Sequence, residues 1–214
     1  MALATETPSP DVSAVILAAG RASRMGREKV LLPLGNEPLI RRSVRAASGA
    51  GAAEIMVLVN PRNRDAVARA VADLPCVLVC NERYEEGIGC SIARGANAVR
   101  PTAGALLLMQ GDQPLVDRAL LDAMIERWRA AQPPYVAAAF GPTTTTPVLF
   151  ARALLPELRA LGGDIGARAV LGRHAGTVLE FPAWKGMDVD TEEDYASVRA
   201  LVEGGAPRAE MAGS

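Results

Sequence analysis

The segment Leu17–Lys29 reads LAAGRASRMGREK and combines small side chains with dense positive charge. Binding a polyphosphate asks for backbone that can approach closely, free amide N–H groups and fixed cations. Ala18, Ala19 and Gly20 permit the approach, and Gly26 permits a tight bend. Arg21, Arg24, Arg27 and Lys29 place four cations within nine residues. Only two of the chain's 23 basic residues are lysines, Lys29 and Lys185. Where arginine serves nearly every cationic role, a lysine in this loop points to a need for a compact point charge. Two well-known phosphate loops fail on spacing. A P-loop has four residues between its glycines and then Lys-Ser/Thr; here five separate Gly20 from Gly26, and Lys29 is followed by Val30. A dinucleotide fingerprint needs Gly-x-Gly-x-x-Gly directly after a strand. Gly87-Ile88-Gly89 comes nearest, but Ile92 holds the third glycine position and the polar NERYEE precedes it. The plainer alternative for the loop is a basic, solvated turn.

Carboxylates stand at two further points. Asp112 sits between Gly111 and Gln113, just after the apolar run ALLLM. It belongs to a site at a strand end or to an ordinary Gly-Asp-x-Pro turn. Asp188 and Asp190 flank Val189, so an extended backbone would face them the same way. Asp190 has an alternative role in the cap of the helix that Thr191 begins. His174 is the sole histidine, which argues against a histidine-rich metal site and against a Ser-His-Asp triad. Cys76 and Cys80 read as small buried hydrophobes rather than a metal pair, and Cys90 as packing.

These residues need strands and helices to bring them together. Ser13–Ala18, Glu54–Val59, Cys76–Cys80 and Ala105–Met109 are apolar runs of strand length, as expected of strands buried on both faces. Between them, Leu39–Ser48, Arg64–Ala72 and Ser91–Val99 have helical spacing. Asp117–Ala131 is a helix capped by Asp117. Tyr135–Phe140 and Pro147–Phe150 read as strands around a Gly-Pro-Thr turn. Ala151–Leu161 reads as a helix, and Thr177–Phe181 and Met187–Val189 as short strands. Thr191 and Asp194 have capping-box spacing for a last helix through Leu201. This alternation predicts one α/β domain over 12–203, a mainly parallel sheet with helices on both faces. Residues 1–11 read as a disordered lead and 204–214 as a disordered tail.

At 214 residues, 50% hydrophobic, the chain can bury a sizeable core. A formal charge of −1 argues against a dedicated nucleic-acid binder. No apolar run reaches membrane-spanning length. The start, MALATETPSPDVS, lacks signal-peptide character, and three cysteines without it point to the cytoplasm.

Five motifs in order resemble one family: LAAGRASRMGREKVLLPLGNEPLI, NERYEEGIGCSIARG, LLLMQGDQPLV, PVLFARALLPELRALGGDIGARAVL and MDVDTEEDY. They look like the molybdenum-cofactor nucleotidyltransferases, and within them the cytidylyltransferase branch of the MobA-like NTP transferases. The resemblance runs from Val12 to about Leu201. It implies a single Rossmann-like three-layer domain of the nucleotide-diphospho-sugar transferase type. It also implies magnesium-dependent transfer of CMP from CTP to a molybdopterin-type cofactor, with release of pyrophosphate. A molybdoenzyme apoprotein is then a further partner. Ala18-Ala19-Gly20 favours cytidine over guanosine by the same resemblance. Alternatives are another phosphorylated acceptor, a binding-only chaperone, or an oxidoreductase that holds NAD(P)H on this fold. One stretch departs from the pattern: relatives carry Gly-His-Pro or Gly-Asn-Pro where Thr145-Thr146-Pro147 stands, within Thr143–Pro147, which bears on the acceptor.

The resemblance also distributes roles. Leu17, Ala18, Ala19, Gly20, Arg24 and Lys29 bind the triphosphate, with Arg24 on the leaving pyrophosphate and Lys29 on the transition state. Asp112 is the principal magnesium ligand, and Asp188 or Asp190 completes the site. Asn81 and Ser91 contact base and ribose, unless Ser91 merely caps its helix. Asp164 and Arg168 lie in the acceptor half, where Arg168 would grip a phosphate bidentately or simply begin a surface helix.

Overall fold

The computed structural model describes residues 11–20 and 27–204. Arg21, Arg24 and Gly26 lie outside the described residues, as do 1–10 and 205–214 of the expected lead and tail.

The strands in chain order are β1 Val12–Leu17, β2 Pro33–Leu34, β3 Glu37–Pro38, β4 Glu54–Val59, β5 Val77–Cys80, β6 Ala105–Gln110, β7 Tyr135–Phe140, β8 Thr143–Ala151 and β9 Thr177–Phe181. The helices are α1 Leu39–Gly49, α2 Arg64–Ala70, α3 Ile88–Ala98, α4 Arg118–Ala131, α5 Leu155–Arg159, α6 Arg168–Leu171 and α7 Glu192–Glu203. Strands β2 and β3 form a small hairpin. The other seven make one sheet in the order β5-β4-β1-β6-β8-β7-β9. Pairing is parallel from β5 to β6 and between β7 and β9; β8 runs antiparallel to both neighbours.

The period of two along each strand feeds two cores. On one face Ala14, Ile16, Val57 and Leu107 meet Ile40, Val67, Met124 and Trp128 of α1, α2 and α4. On the other, Val15, Leu58 and Leu106 meet Ile92, Leu158 and Val170 of α3, α5 and α6. This is the three-layer α/β arrangement that the alternating pattern implied. A third cluster, Leu32, Leu34, Leu39, Leu115, Val189 and Val198, packs the hairpin against α7. Among the described residues no helix is long and apolar enough to cross a membrane.

The caps of α4 and α7 match their sequence signals. Asp117 accepts from the Leu120 N–H at 3.0 Å, and Thr191 and Asp194 form a reciprocal capping box. Four expectations need correction. Helix α3 begins at Ile88, so Ser91 lies inside it and caps nothing. Strand β8 starts at Thr143, four residues before the expected Pro147. It carries Pro147 because Thr146 and Pro147 are extra residues opposite Ala137 and Ala138, and a bulge spares the ladder bond proline cannot make. The helix expected over Ala151–Leu161 is a 3-10 turn, Arg152–Leu154, leading into the short α5. Met187–Val189 is not a strand, since it finds no ladder; the Val189 N–H donates instead to the carbonyl of Asp112 at 2.9 Å. Cys76 is only half-buried, packed at the margin of the first core, and Cys80 is half-buried at the end of edge strand β5.

Candidate active site

In an open α/β sheet the crevice opens where chain connections part to opposite sides, beyond the carboxyl ends of the strands. Here that place lies between β1 and β6. The Gly111 N–H donates to the Leu17 carbonyl at 2.9 Å and ties the two strand ends together. Above them opens a cavity of about 420 Å³ lined by Leu17, Ala18, Ala19, Gly20, Lys29 and Asp112, with Ser91, Asp164 and Asp190 at its sides.

Lys29 reaches this cavity because it opens a 3-10 turn whose next residue, Val30, is buried in the core. Its ammonium donates to Asp112 Oδ2 at 3.4 Å and to Asp190 Oδ1. Burial works to lower the Lys29 pKa, but the Asp190 hydrogen bond and the Asp112 charge outweigh it and hold it above the ordinary lysine value. Asp112 is pushed up by burial, with Lys29 pulling the other way. Asp188 is pushed up to about 6 by burial and by the charges of Asp112 and Asp190, against a hydrogen bond from Gln113. Asp190 takes the capping role foreseen for it, its N–H donating to Asp194 Oδ2 at 3.2 Å at the start of α7, while its carboxylate pairs with Lys29.

Among the described residues no three His, Cys, Asp or Glu side chains converge tightly enough to hold a metal unaided. Two observations still fit a divalent cation. Among the described residues Asp112 Oδ1 and Asp188 Oδ1 are buried with no hydrogen-bond partner, and such atoms are costly unless a ligand satisfies them. The Lys29 ammonium already marks a cation position between Asp112 and Asp190. Magnesium characteristically takes one or two carboxylates and fills its shell with water and substrate phosphate.

The glycine-rich loop is shaped from below by two asparagines, each 1% exposed. Asn63 Nδ2 donates to the Ala18 carbonyl at 2.8 Å, and Asn60 Nδ2 to the carbonyls of Ala19 and Gly20 at 3.4 and 3.3 Å. In a trans peptide the N–H points opposite to the carbonyl. The N–H groups of Ala19 and Gly20 therefore turn away from the asparagines, and both residues line the cavity.

A family model described as the MobA-like NTP transferase domain matches residues 14–178. The chain belongs to that family. Among curated relatives of this NTP transferase domain, PucB, a purine catabolism protein of Bacillus subtilis, is 28% identical over 203 residues, covering 89% of this chain and 97% of PucB. The bifunctional protein GlmU of Rhodospirillum rubrum is 35% identical over 126 residues, covering 58% of this chain and 27% of GlmU. The chain thus spans about a quarter of the length of the GlmU proteins it matches. Among solved structures, Rv0371c of Mycobacterium tuberculosis superimposes with a TM-score of 0.78 at 29% identity, covering 91% of this chain and 99% of that one. A manganese complex of Rv0371c superimposes with a TM-score of 0.73 at 27% identity.

Other expected residues of this NTP transferase domain fall as follows. Ser91 lines the cavity, whereas Asn81 stands behind it, 3% exposed, and donates from Nδ2 to the Ser91 hydroxyl at 2.9 Å. Asp164 lines the same cavity from an exposed loop. Arg168 lies at a second cavity, with Nε donating to the Thr144 carbonyl at 3.1 Å. His174 pairs with Glu157 at 2.6 Å and lines neither cavity.

Sequence reasoning passed over Asn60, Asn63, Gln110 and Gln113. The repeated asparagine in NPRN, straight after a buried strand, was the available signal for the first two. Replacing Asn63 with Ala leaves the Ala18 carbonyl unsatisfied, so melting should show a loss of about 1–3 kcal/mol. Nucleotide affinity should fall with it, read as a smaller ligand-induced rise in Tm. The Gly87-Ile88-Gly89 stretch packs against the Gly162–Gly163 loop, and Gly87 and Ile88 also line the cavity. A Cβ at Gly89 would sit 2.7 Å from the Gly162 carbonyl oxygen, and Gly87 has φ +117° with Gly163 and Asp164 pressed against it. Gly89→Ala should therefore displace the Asp164 loop and cost about 1–3 kcal/mol by overpacking, read as a lower Tm in thermal melting.

Proposed function

We propose that the protein transfers a nucleotidyl group from a nucleoside triphosphate to a phosphorylated acceptor and releases pyrophosphate. The convergence of the asparagine-braced loop, Lys29, Asp112 and Asp190 on one cavity carries this reading. CTP is the nucleotide favoured, from Ala18-Ala19-Gly20 and the order of the motifs, and magnesium is the metal. The first acceptor to test is a molybdopterin-type cofactor, destined for a molybdoenzyme.

The loop amides of Ala19 and Gly20 hold the phosphates at their negative oxygens, and Lys29 neutralises charge that builds in the transition state. Arg24 takes the pyrophosphate side. Asp112, with Asp188 or Asp190, would hold magnesium, which supplies charge neutralisation and alignment for in-line displacement. Ser91, oriented by Asn81, faces the ribose, and Arg168 the acceptor phosphate. Such a phosphate is already ionised at neutral pH, so the reaction needs no general base.

A second acceptor reading has its own observation. The divergent stretch around Thr145 and Thr146 lines an apolar cavity, which suits a phosphorylated acceptor other than molybdopterin. The test of the main reading is a thermal-shift screen of CTP, GTP, ATP and NADPH with magnesium, followed by a pyrophosphate assay with molybdenum cofactor. CTP at about 100 Kd should add about 2.7 kcal/mol, or roughly 5–10 °C in Tm. No shift with any triphosphate removes the transfer reading. A shift without pyrophosphate release on molybdenum cofactor removes that acceptor alone.

A further inference from the structure

We propose that the second cavity is the subsite for the body of the acceptor, and that it takes a largely apolar group about the size of a single ring. The proposal rests on the nucleotidyl-transfer reading and names the acceptor class for it. Leu17, Ile88 and Gln110 line both cavities. A molecule seated in the second therefore presents one end to the first, beside Lys29 and Asp112.

The wall of the second cavity is Ile92, Leu108, Val148 and Leu171, and the first three are at most 2% exposed. Among the described residues no carboxylate lines it. Its polar edge is the pair of hydroxyls on Thr145 and Thr146, the amide of Gln110 and the guanidinium of Arg168. That edge is held rigid. The Thr146 hydroxyl accepts from Gln110 Nε2 at 2.9 Å and donates to Gln113 Oε1 at 2.9 Å. Thr146 can do so because the bulge in β8 turns it out of the ladder with β7. The Thr146 hydroxyl thereby orients both amides.

The lining decides the class. The cavity measures about 150 Å³ and shares lining residues with the first, and a closed apolar cavity of about that volume holds one benzene. The hydrogen-bonding edges of a fused pterin would meet Ile92, Leu108 and Val148 without partners, a costly burial. A phosphate monoester with one apolar ring matches volume, wall and the cationic rim together.

Calorimetry with methyl, benzyl and 2-naphthylmethyl phosphate tests this, with magnesium and the α,β-methylene analogue of CTP present. Benzyl phosphate should bind roughly tenfold or more tighter than methyl phosphate, and the naphthyl ester should lose that gain. Ala167→Phe, which fills the cavity from its half-buried rim, should abolish the preference and leave the nucleotide-induced Tm shift intact. Should Ala167→Phe fail to fold, Gly166→Leu fills the same cavity from a position where an added Cβ meets nothing within 4 Å. Equal binding of methyl and benzyl phosphate, undiminished binding of the naphthyl ester, or a preference that survives the filled cavity overturns the proposal. A ring preference with no nucleotide shift upholds the subsite and removes the transfer reading. A nucleotide shift without ring preference removes this inference alone.

Discussion

Asp112→Asn will lower turnover by about 10²- to 10³-fold while leaving the protein at least as stable as before. The two halves of that expectation come from one physical fact. Asp112 sits in the crevice with its side chain 17% exposed and one oxygen unsatisfied. Burial holds its carboxyl above the ordinary carboxylate range, so the folded chain keeps the charged form at a cost. An amide of the same shape removes that cost, and Asp190 still partners Lys29. What the amide cannot do is supply an anionic oxygen to a hard divalent cation. Pyrophosphate release against magnesium concentration, beside thermal melting of both proteins, checks this. A variant that melts several degrees lower would show Asp112 to be a structural ion-pair member instead.

Lys29→Met should act in the opposite sense on stability. Lys29 is the cation between Asp112 and Asp190, and Asp188 adds a third carboxylate that both of them repel. Removing one partner of a buried pair costs about 3–5 kcal/mol. Asp190 is 41% exposed and partly screened, so about 2–3 kcal/mol is expected here, or roughly 5–10 °C in Tm. Millimolar magnesium or manganese should return most of that loss, because a divalent ion replaces the missing charge. Turnover should stay about 10²-fold or more below normal even with metal, since the phosphates lose their point charge. Melting curves with and without metal decide the matter. A Lys29→Met protein whose Tm ignores divalent ions would mean that these carboxylates form no cation site.

Much of the frame is legible in the sequence alone. The runs SAVILA and ALLLM could hardly be other than doubly buried strands, and Asp117 and Thr191 announce their helices by local chemistry. The loop and the three aspartates were legible as types of residue in suitable places. Their convergence was legible only in part. Val189 is joined to Asp112 by a backbone bond, a contact across 77 residues that no local pattern encodes. Helix α3 starts early because Gly87 turns the chain at positive φ under the Gly162–Gly163 loop, again a long-range contact. Asn60 and Asn63 are of a type common in turns; what distinguishes them is burial beneath a loop some forty residues away. Pro147 obscured β8 because a proline reads as the edge of a strand, and the bulge that admits it depends on the partner strand.

The bond between Val189 and Asp112 also fastens the two halves of the crevice to each other. Asp190 meets Lys29 because the segment after β9 returns beside the end of β6, where α7 anchors it through Val198 in the third cluster. A disturbance of that cluster, remote from the cavity, would therefore be felt by the charges inside it.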